Sequence, residues 1–391
     1  ARVTVVTAMP NRRIPGRGEG EIDPRYRGKL FLEEDWQGIR TLRSWLYTGD
    51  GRGFVTKMVN NATFMMTGML HALAKREKFD VIIASSPPFL PHVSGAMLSR
   101  LRNVPLVLEI RDLWPDYMVA FGMLSNERSR RALFGLERWL LAQADRTVVV
   151  TDSFKTRIID KGVPAGLIDV IPNGVKLDDY FRCDEPAPIA TMSNDGDFIV
   201  GYLGTFGRGQ GLASVVRTAA ELEKTYPEIK FILAGDGPDK PAVEAEIAAS
   251  GARNVILHPP ILRDQTRAFY NACDVCLVPL APIAIFNETV PSKLFEVMAC
   301  ERPLVASVSG EGAKIVNESG GGIVSPPGDA AGLAAAILQV RHMSAPEREA
   351  MGARARRYVA ENYNRTTLAD QYFEILTRLA SQPRRARRAH E

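Results

Sequence analysis

The sequence predicts an α/β fold made of two halves, each a parallel sheet covered on both faces by helices. Three observations carry this. Short β-branched runs alternate with amphipathic segments of helix length through almost the whole chain, the pattern of strand-helix-strand units. A length of 391 residues, 46% of them hydrophobic and 24% charged, supplies two cores of ordinary size. The stretch Cys183 to Gly196 interrupts the alternation with Pro186, Pro188, Ser193, Asn194, Asp195 and Gly196, which predicts a linker at 183–196 between domains at 1–182 and 197–363.

In the first half the predicted strands are Val3 to Thr7, Val81 to Ala84, Leu106 to Ile110, Thr147 to Val150 and Asp169 to Ile171. Helices are predicted around Val55 to Ala74, Val93 to Arg102, Arg128 to Leu141 and Ser153 to Lys161. Val3 to Thr7, followed by Ala8-Met9-Pro10-Asn11, reads as a second strand, so an initial strand and its glycine-rich loop are expected to be missing. The second half should hold strands at Ile199 to Leu203, Lys230 to Ala234, Val255 to Leu257, Val275 to Val278 and Leu304 to Ala306. A last amphipathic segment, Thr366 to Leu379, is expected to pack back across the first half, with a basic tail after it.

Composition excludes several functions. A formal net charge of +4 gives no field for a polyanion, so no nucleic-acid partner is expected. Positive charge collects at the ends, in Arg2, Arg12, Arg13, Arg17, Arg25, Arg27 and Lys29 and in Arg384, Arg385, Arg387 and Arg388. Solvated surface explains such runs, and a membrane-surface patch is the alternative. Cys183, Cys273, Cys276 and Cys300 are too few and too irregular for a disulfide framework, and a reducing cytoplasm fits them. Cys273 and Cys276 sit at or in the apolar run ending at Leu280 and read as core residues, not a metal pair. No apolar stretch is long enough to span a bilayer and no signal-peptide pattern opens the chain.

The chemistry-bearing motifs fall after predicted strands. Gly204-Thr205-Phe206-Gly207-Arg208-Gly209-Gln210-Gly211 precedes a helix; its glycines allow backbone N–H groups to close on a phosphate, and Arg208 adds charge. A plain tight turn explains the same glycines. Gly235-Asp236-Gly237-Pro238 reads chiefly as a strand-to-helix turn, with a floor for a nucleotide or sugar as its second use. Most informative is Glu288 to Cys300. Pro291 suits the first turn of a helix, the N–H groups around Ser292 and Lys293 then face a diphosphate, and Lys293 neutralises it. Glu296, one turn further, is placed to accept two ribose hydroxyls, and Glu288 to bind the sugar or stabilise positive charge at the anomeric carbon.

In the first half, Glu109-Ile110-Arg111-Asp112-Leu113-Trp114-Pro115-Asp116 follows a strand, and Asp112 is a catalytic candidate. A buried Arg111–Asp112 pair of purely structural purpose is the competing reading. Arg111, Ser86 of Ser85-Ser86-Pro87-Pro88 and His92 are candidate acceptor contacts, although a turn and a satisfied surface histidine explain the last two. The five histidines show no metal-ligand or Ser/His/Asp spacing, so no metal site is expected.

Taken together, Glu288-x7-Glu296, Ile171-Pro-Asn-Gly-Val175, Gly235-Asp-Gly-Pro238 and Val324-Ser-Pro-Pro-Gly-Asp329 resemble the family-4 retaining glycosyltransferases of the GT-B fold, over nearly the whole chain. Arg111-Asp-Leu-Trp-Pro115, Pro291-Ser-Lys293 and Gly207-Arg-Gly-Gln-Gly211 are most similar to the subgroup with N-acetyl-L-fucosaminyl and fucosyl transferases of bacterial surface polysaccharide assembly. The resemblance implies sugar transfer from a nucleotide-diphosphate donor with retention, no required cofactor or metal, and an acceptor that is a glycan or lipid-linked. It also implies an N-terminal acceptor-binding domain, a second domain for the donor and a cleft between them; together with the basic, loop-rich segment Asn11 to Lys29 it implies a place in the cytoplasm at the inner face of the cytoplasmic membrane. By position it assigns the sugar to Glu288, the ribose to Glu296, the diphosphate to Arg208 and Lys293, and the base to Pro260-Ile261-Leu262, with Gly204, Gly207, Gly235, Pro291 and Ser292 lining the donor site. Two departures matter. Many relatives carry Arg soon after the position of Gly204 and Lys before that of Gly211, where this chain has Thr205 and Gln210; many also carry His at Arg111. The subgroup's donors favour UDP over GDP. A nucleotide-sugar epimerase of the same fold and a non-catalytic sugar-nucleotide sensor are the alternatives, whereas no Gly-x-Gly-x-x-Gly with an acidic residue some 20 positions on supports a dehydrogenase.

Overall fold

The structure, a computed structural model, describes residues 1–10, 24–49, 54–124, 126–192, 194 and 196–381. Arg12, Arg13, Arg17 and the arginines of the tail lie outside them. The chain divides into two compact units, one of Ala1–Ile171 with the residues from Gln371 onward, the other of Pro172–Asp370. The division falls earlier than the linker expected at 183–196. That stretch belongs to the second unit: Ile189 is buried in its core, and the Cys183 N–H donates to Asn271 Oδ1 over 3.3 Å. The described residues 183–192, with Pro186 and Pro188, are irregular backbone laid on that core.

Unit 1 contains β1 (Thr4–Ala8), β2 (Phe31–Trp36), β3 (Ile39–Ser44), α1 (Phe54–Leu73), β4 (Ile82–Ser86), α2 (Pro91–Arg102), β5 (Leu106–Ile110), α3 (Trp114–Ala120), α4 (Glu127–Leu141), β6 (Arg146–Val149), α5 (Asp152–Asp160) and β7 (Ile168–Val170). Its strands form two sheets among the described residues, β1-β3-β2 and β4-β5-β6-β7, the second wholly parallel. The antiparallel β2–β3 hairpin was not expected. It turns through Gln37 and Gly38, both at positive φ, and is held by polar pairs, Arg43 to Glu34, Arg40 to Glu33 and Lys75 to Glu33. Such a strand lacks the continuous apolar run that identifies buried strands.

Unit 2 contains β8 (Phe198–Leu203), α6 (Leu212–Glu223), β9 (Ile229–Ala234), α7 (Lys240–Ser250), β10 (Val255–His258), α8 (Thr266–Asn271), β11 (Val275–Pro279), α9 (Ser292–Ala299), β12 (Leu304–Ser307), α10 (Gly310–Ser319), β13 (Gly322–Ser325), α11 (Ala330–His342), α12 (Ala345–Asn362) and the start of α13 (Arg365–Ala380). One six-stranded parallel sheet, ordered β10-β9-β8-β11-β12-β13, carries two cores, one on each face. β11 and β12 are buried at every residue and β8 and β9 at all but one each, which is why they read as nearly unbroken apolar runs. Beyond Gln371, Tyr372, Ile375, Leu376 and Leu379 of α13 pack on Val107 and Val148 of unit 1, at the spacing of one helical stripe. The final helix thus returns to the first half, as the amphipathic segment predicted.

Candidate active site

Two glycine-rich loops of unit 2 lie backbone against backbone at the carboxyl end of its sheet. The Gly204 N–H donates to Ala234 O, the Phe206 N–H to Asp236 O and the Asp239 N–H to Phe206 O, at 3.0, 2.9 and 2.9 Å. A Cβ at Gly235 would stand 1.8 Å from Gly204 O, and one at Gly237 2.3 Å from Phe206 O. Gly235-Asp-Gly-Pro238 therefore does more than turn the chain: it supports the loop above it, and only glycine permits the approach.

The order of the sheet puts β8 beside β11, the point at which successive strands change direction of progression, and loops after such strands form the natural ligand crevice. The Ala281 N–H donates to Gly209 O over 2.8 Å and ties the two loops together. After β11 the chain forms a short 3-10 turn, Ala284–Glu288, ending at half-buried Glu288. Pro291 then sits at the N-cap of α9 in extended conformation, one residue outside the first turn expected for it, and Ser292 and Lys293 open the helix with unbonded N–H groups of the kind that attract an anion.

Lys293 is held at two points and packs close over Gly204. Its Nζ donates to Gln210 Oε1 over 2.8 Å and lies 4.2 Å from the centre of the Tyr202 ring, and it stands 2.7 Å from where a Cβ on Gly204 would be. The protein packed around the ammonium lowers its pKa to about 7, with the charge of Glu296 pulling the other way. Glu296 accepts from the Tyr270 hydroxyl over 3.1 Å and from Tyr180, and burial raises its pKa against those bonds. Two tyrosines leave lone pairs on this carboxylate for further hydroxyls. Arg208 is exposed at the start of the 208–210 turn, Gly207 is half-buried before it, and Ile261 packs partly buried against the unit's core after β10.

The remaining candidates lie in unit 1. Ser86, Phe89, His92, Asp112, Trp114 and Glu137 line a small cavity at the ends of β4 and β5. Arg111 is exposed and Asp112 half-buried, so they are not a buried pair. Burial raises the Asp112 pKa to about 6 against the pull of Arg111. His92 is buried, not a surface histidine; its Nε2 lies 3.2 Å from Glu109 O, and burial lowers its pKa to about 4, so it stays neutral near pH 7. That leaves it suited to shaping the cavity rather than to carrying a proton. Behind it Lys161 Nζ bonds both Glu137 oxygens at 2.9 Å and Asp116 Oδ2 at 2.6 Å. Tyr180, Tyr202, Tyr270, Glu137 and Lys161 escaped the sequence reading. No group of three or more metal-ligating side chains occurs among the described residues, and no helix there is long and apolar enough to cross a membrane.

Two family models match this chain. One, "Glycosyl transferases group 1", covers residues 197–342, and the other, "Glycosyl transferase 4-like domain", covers residues 1–174. The chain belongs to the family-4 glycosyltransferases. Its two units are the halves of the GT-B fold. The glycosyltransferase is 24% identical over 324 residues to "Probable glycosyltransferase WbjE" of Pseudomonas aeruginosa, covering 82% of this chain and 79% of that one. It is 26% identical over 356 residues to the "Lipopolysaccharide core biosynthesis glycosyltransferase LpsD" of Rhizobium meliloti, covering 87% and 88%. Its fold is that of HepE from Anabaena, solved in complex with UDP and glucose, at a TM-score of 0.66 and 19% identity over 87% of this chain and 86% of that one.

Proposed function

We propose that this glycosyltransferase moves a sugar, with retention, from a UDP-linked N-acetyl sugar to a glycan or lipid-linked acceptor in surface polysaccharide assembly, at the inner face of the cytoplasmic membrane. The observation that carries the donor half is the convergence of the 204–211 loop, Lys293 and Glu296 at the switch point of the unit 2 sheet. Loop and helix N–H groups, Lys293 and exposed Arg208 take the diphosphate; Glu296, preset by its tyrosines, takes the ribose; Ile261 lies against the base; Glu288 faces the transferred sugar. In unit 1, Asp112 titrates close enough to neutrality to exchange a proton with an acceptor hydroxyl, and Arg111 and Ser86 contact that acceptor. The resemblance of Arg111-Asp-Leu-Trp-Pro115 and the likeness to LpsD support the choice of acceptor and pathway.

A thermal-shift series with UDP, GDP, ADP and dTDP tests the donor assignment. A ligand that binds only the folded state at about 100-fold excess over its Kd adds about 2.7 kcal/mol, and the expected result is a shift with UDP that Glu296→Ala abolishes. No shift with any nucleotide overturns the donor site. The membrane part has its own test, sedimentation with anionic vesicles: it is wrong if removing residues 11–29 leaves binding unchanged.

A further inference from the structure

Lys293 is a buried-headed cation with no anionic partner. Among the described residues its Nζ makes no hydrogen bond to a carboxylate; it contacts an amide oxygen of Gln210 and the face of Tyr202, and Glu296 acts on it only through its charge. A cation so enclosed is costly until an anion arrives. The titratable groups on the surrounding elements do not change this. Tyr202 on β8 keeps its proton, since burial raises its pKa and its hydroxyl donates to Thr205 O over 2.8 Å. The 208–210 turn offers only Arg208, a like charge. Glu288 ends the turn before α9, and Glu296, one turn along α9, favours the ammonium through its charge while accepting hydrogen bonds from Tyr270 and Tyr180. Gln210 is the residue that stands where many relatives of the resembling family have a lysine, and its carboxamide now holds Lys293 from the neighbouring strand's loop.

We propose that donor binding and protonation are coupled at Lys293: it loses its proton readily in the empty site and regains it as the diphosphate enters. The proposal rests on the donor-site reading above. Its chemical balance is simple. A proton moves from the solvent buffer to the Lys293 amine, the resulting ammonium pairs with a diphosphate oxygen, and no covalent bond to the donor changes. The physical cause is the same desolvation that brings the pKa of Lys293 to about 7, reversed when two phosphate charges replace the missing counter-ion. Above that pH the site must take up a proton to bind, so donor affinity should fall about tenfold for each further pH unit until the bound-state pKa is reached.

Calorimetric titration in buffers of different ionisation enthalpy reads the coupling directly. The probes are UDP-, GDP-, ADP- and dTDP-glucose, whose diphosphate is a diester and does not itself titrate between pH 6 and 9. For the one that binds, the expected uptake is about 0.9 proton at pH 8 and about 0.2 at pH 6.5, as a group of pKa about 7 requires. Lys293→Arg, which keeps the charge but cannot release it, should bind without proton uptake at either pH; Lys293→Met should lose at least tenfold in affinity at pH 6.5. Donor binding to the wild type at pH 8 with no uptake overturns the coupling while leaving the donor site standing, and so does uptake that persists in Lys293→Arg. Failure of all four donors to bind at both pH values overturns the donor-site reading and the coupling with it.

Discussion

The two units solve the same problem, covering a mostly parallel sheet with helices, to different degrees of completion. Unit 2 closes six strands into one sheet and buries its apolar residues almost entirely: of the large hydrophobic side chains exposed among the described residues, only Phe181 and Leu262 belong to it. Unit 1 divides seven strands between two sheets. Val5 and Val6 of β1, Ile83 of β4, Met66 and Leu70 of α1 and Met97 and Leu101 of α2 are all exposed. Their candidate sites differ in the same way. In unit 2 the groups are placed by backbone contact between loops, and in unit 1 by a chain of side-chain contacts through Glu137, Lys161 and Asp116. Backbone packing of this kind gives little when a side chain is added, whereas a side-chain network around a cavity can readjust.

The largest expected effect breaks that comparison at its rigid end. Gly235→Ala would drive a Cβ to within 1.8 Å of Gly204 O at a φ of +148°, so both the loop and the strand end must move. A loss above about 3 kcal/mol is expected, with nucleotide binding gone. Gly162 in unit 1, after α5, also has a positive φ, +97°, but open space around it. Gly162→Ala should cost only about 1 kcal/mol, the backbone strain alone. Thermal unfolding of the two variants side by side decides the matter: equal midpoints would mean that the contact between the 204–211 and 235–238 loops does not organise unit 2.

The same contrast explains what could be read from the amino-acid order. Every predicted strand of unit 2 lies within about a residue of its place, because strands mostly covered on both faces are mostly apolar; half-buried β10 is the partial exception. The misses are elements without that signal: the charged hairpin β2–β3, the short β13 with its two glycines before it, and α3, whose first turn begins Trp-Pro. Lys293, Glu296 and the glycines are legible as motifs because they fall at close spacing along single strand-loop-helix units. Tyr202, Tyr270 and Tyr180 were not, since each comes from a different element and an aromatic residue on a buried face looks like core until the fold brings it to a carboxylate or an ammonium. Glu137 and Lys161 are 24 residues apart and belong to no motif. In the 183–196 stretch, composition does not convey that Ile189 packs into the core of unit 2.

A smaller effect sharpens the comparison at the adaptable end. Asp112 has its pKa raised from 3.8 to about 6 by burial, with Arg111 opposing. Unfolded, the group loses its proton near 3.8, so between about pH 4 and pH 6 the folded protein holds more protons than the unfolded chain, and stability falls as the pH rises through that window. At neutral pH the carboxylate therefore carries a cost, which after allowance for partial exposure is on the order of 1–2 kcal/mol. Asp112→Asn keeps the shape and removes the charge. Its midpoint of thermal unfolding should lie roughly 2–6 °C above that of the wild type at pH 7, and the difference should vanish below about pH 4. Sugar transfer should fall in the same variant, because an amide cannot accept the acceptor's proton. A variant less stable than the wild type at pH 7 would mean that the ionised carboxylate is fully satisfied where it stands, and unit 1 would then hold its site as tightly as unit 2 does.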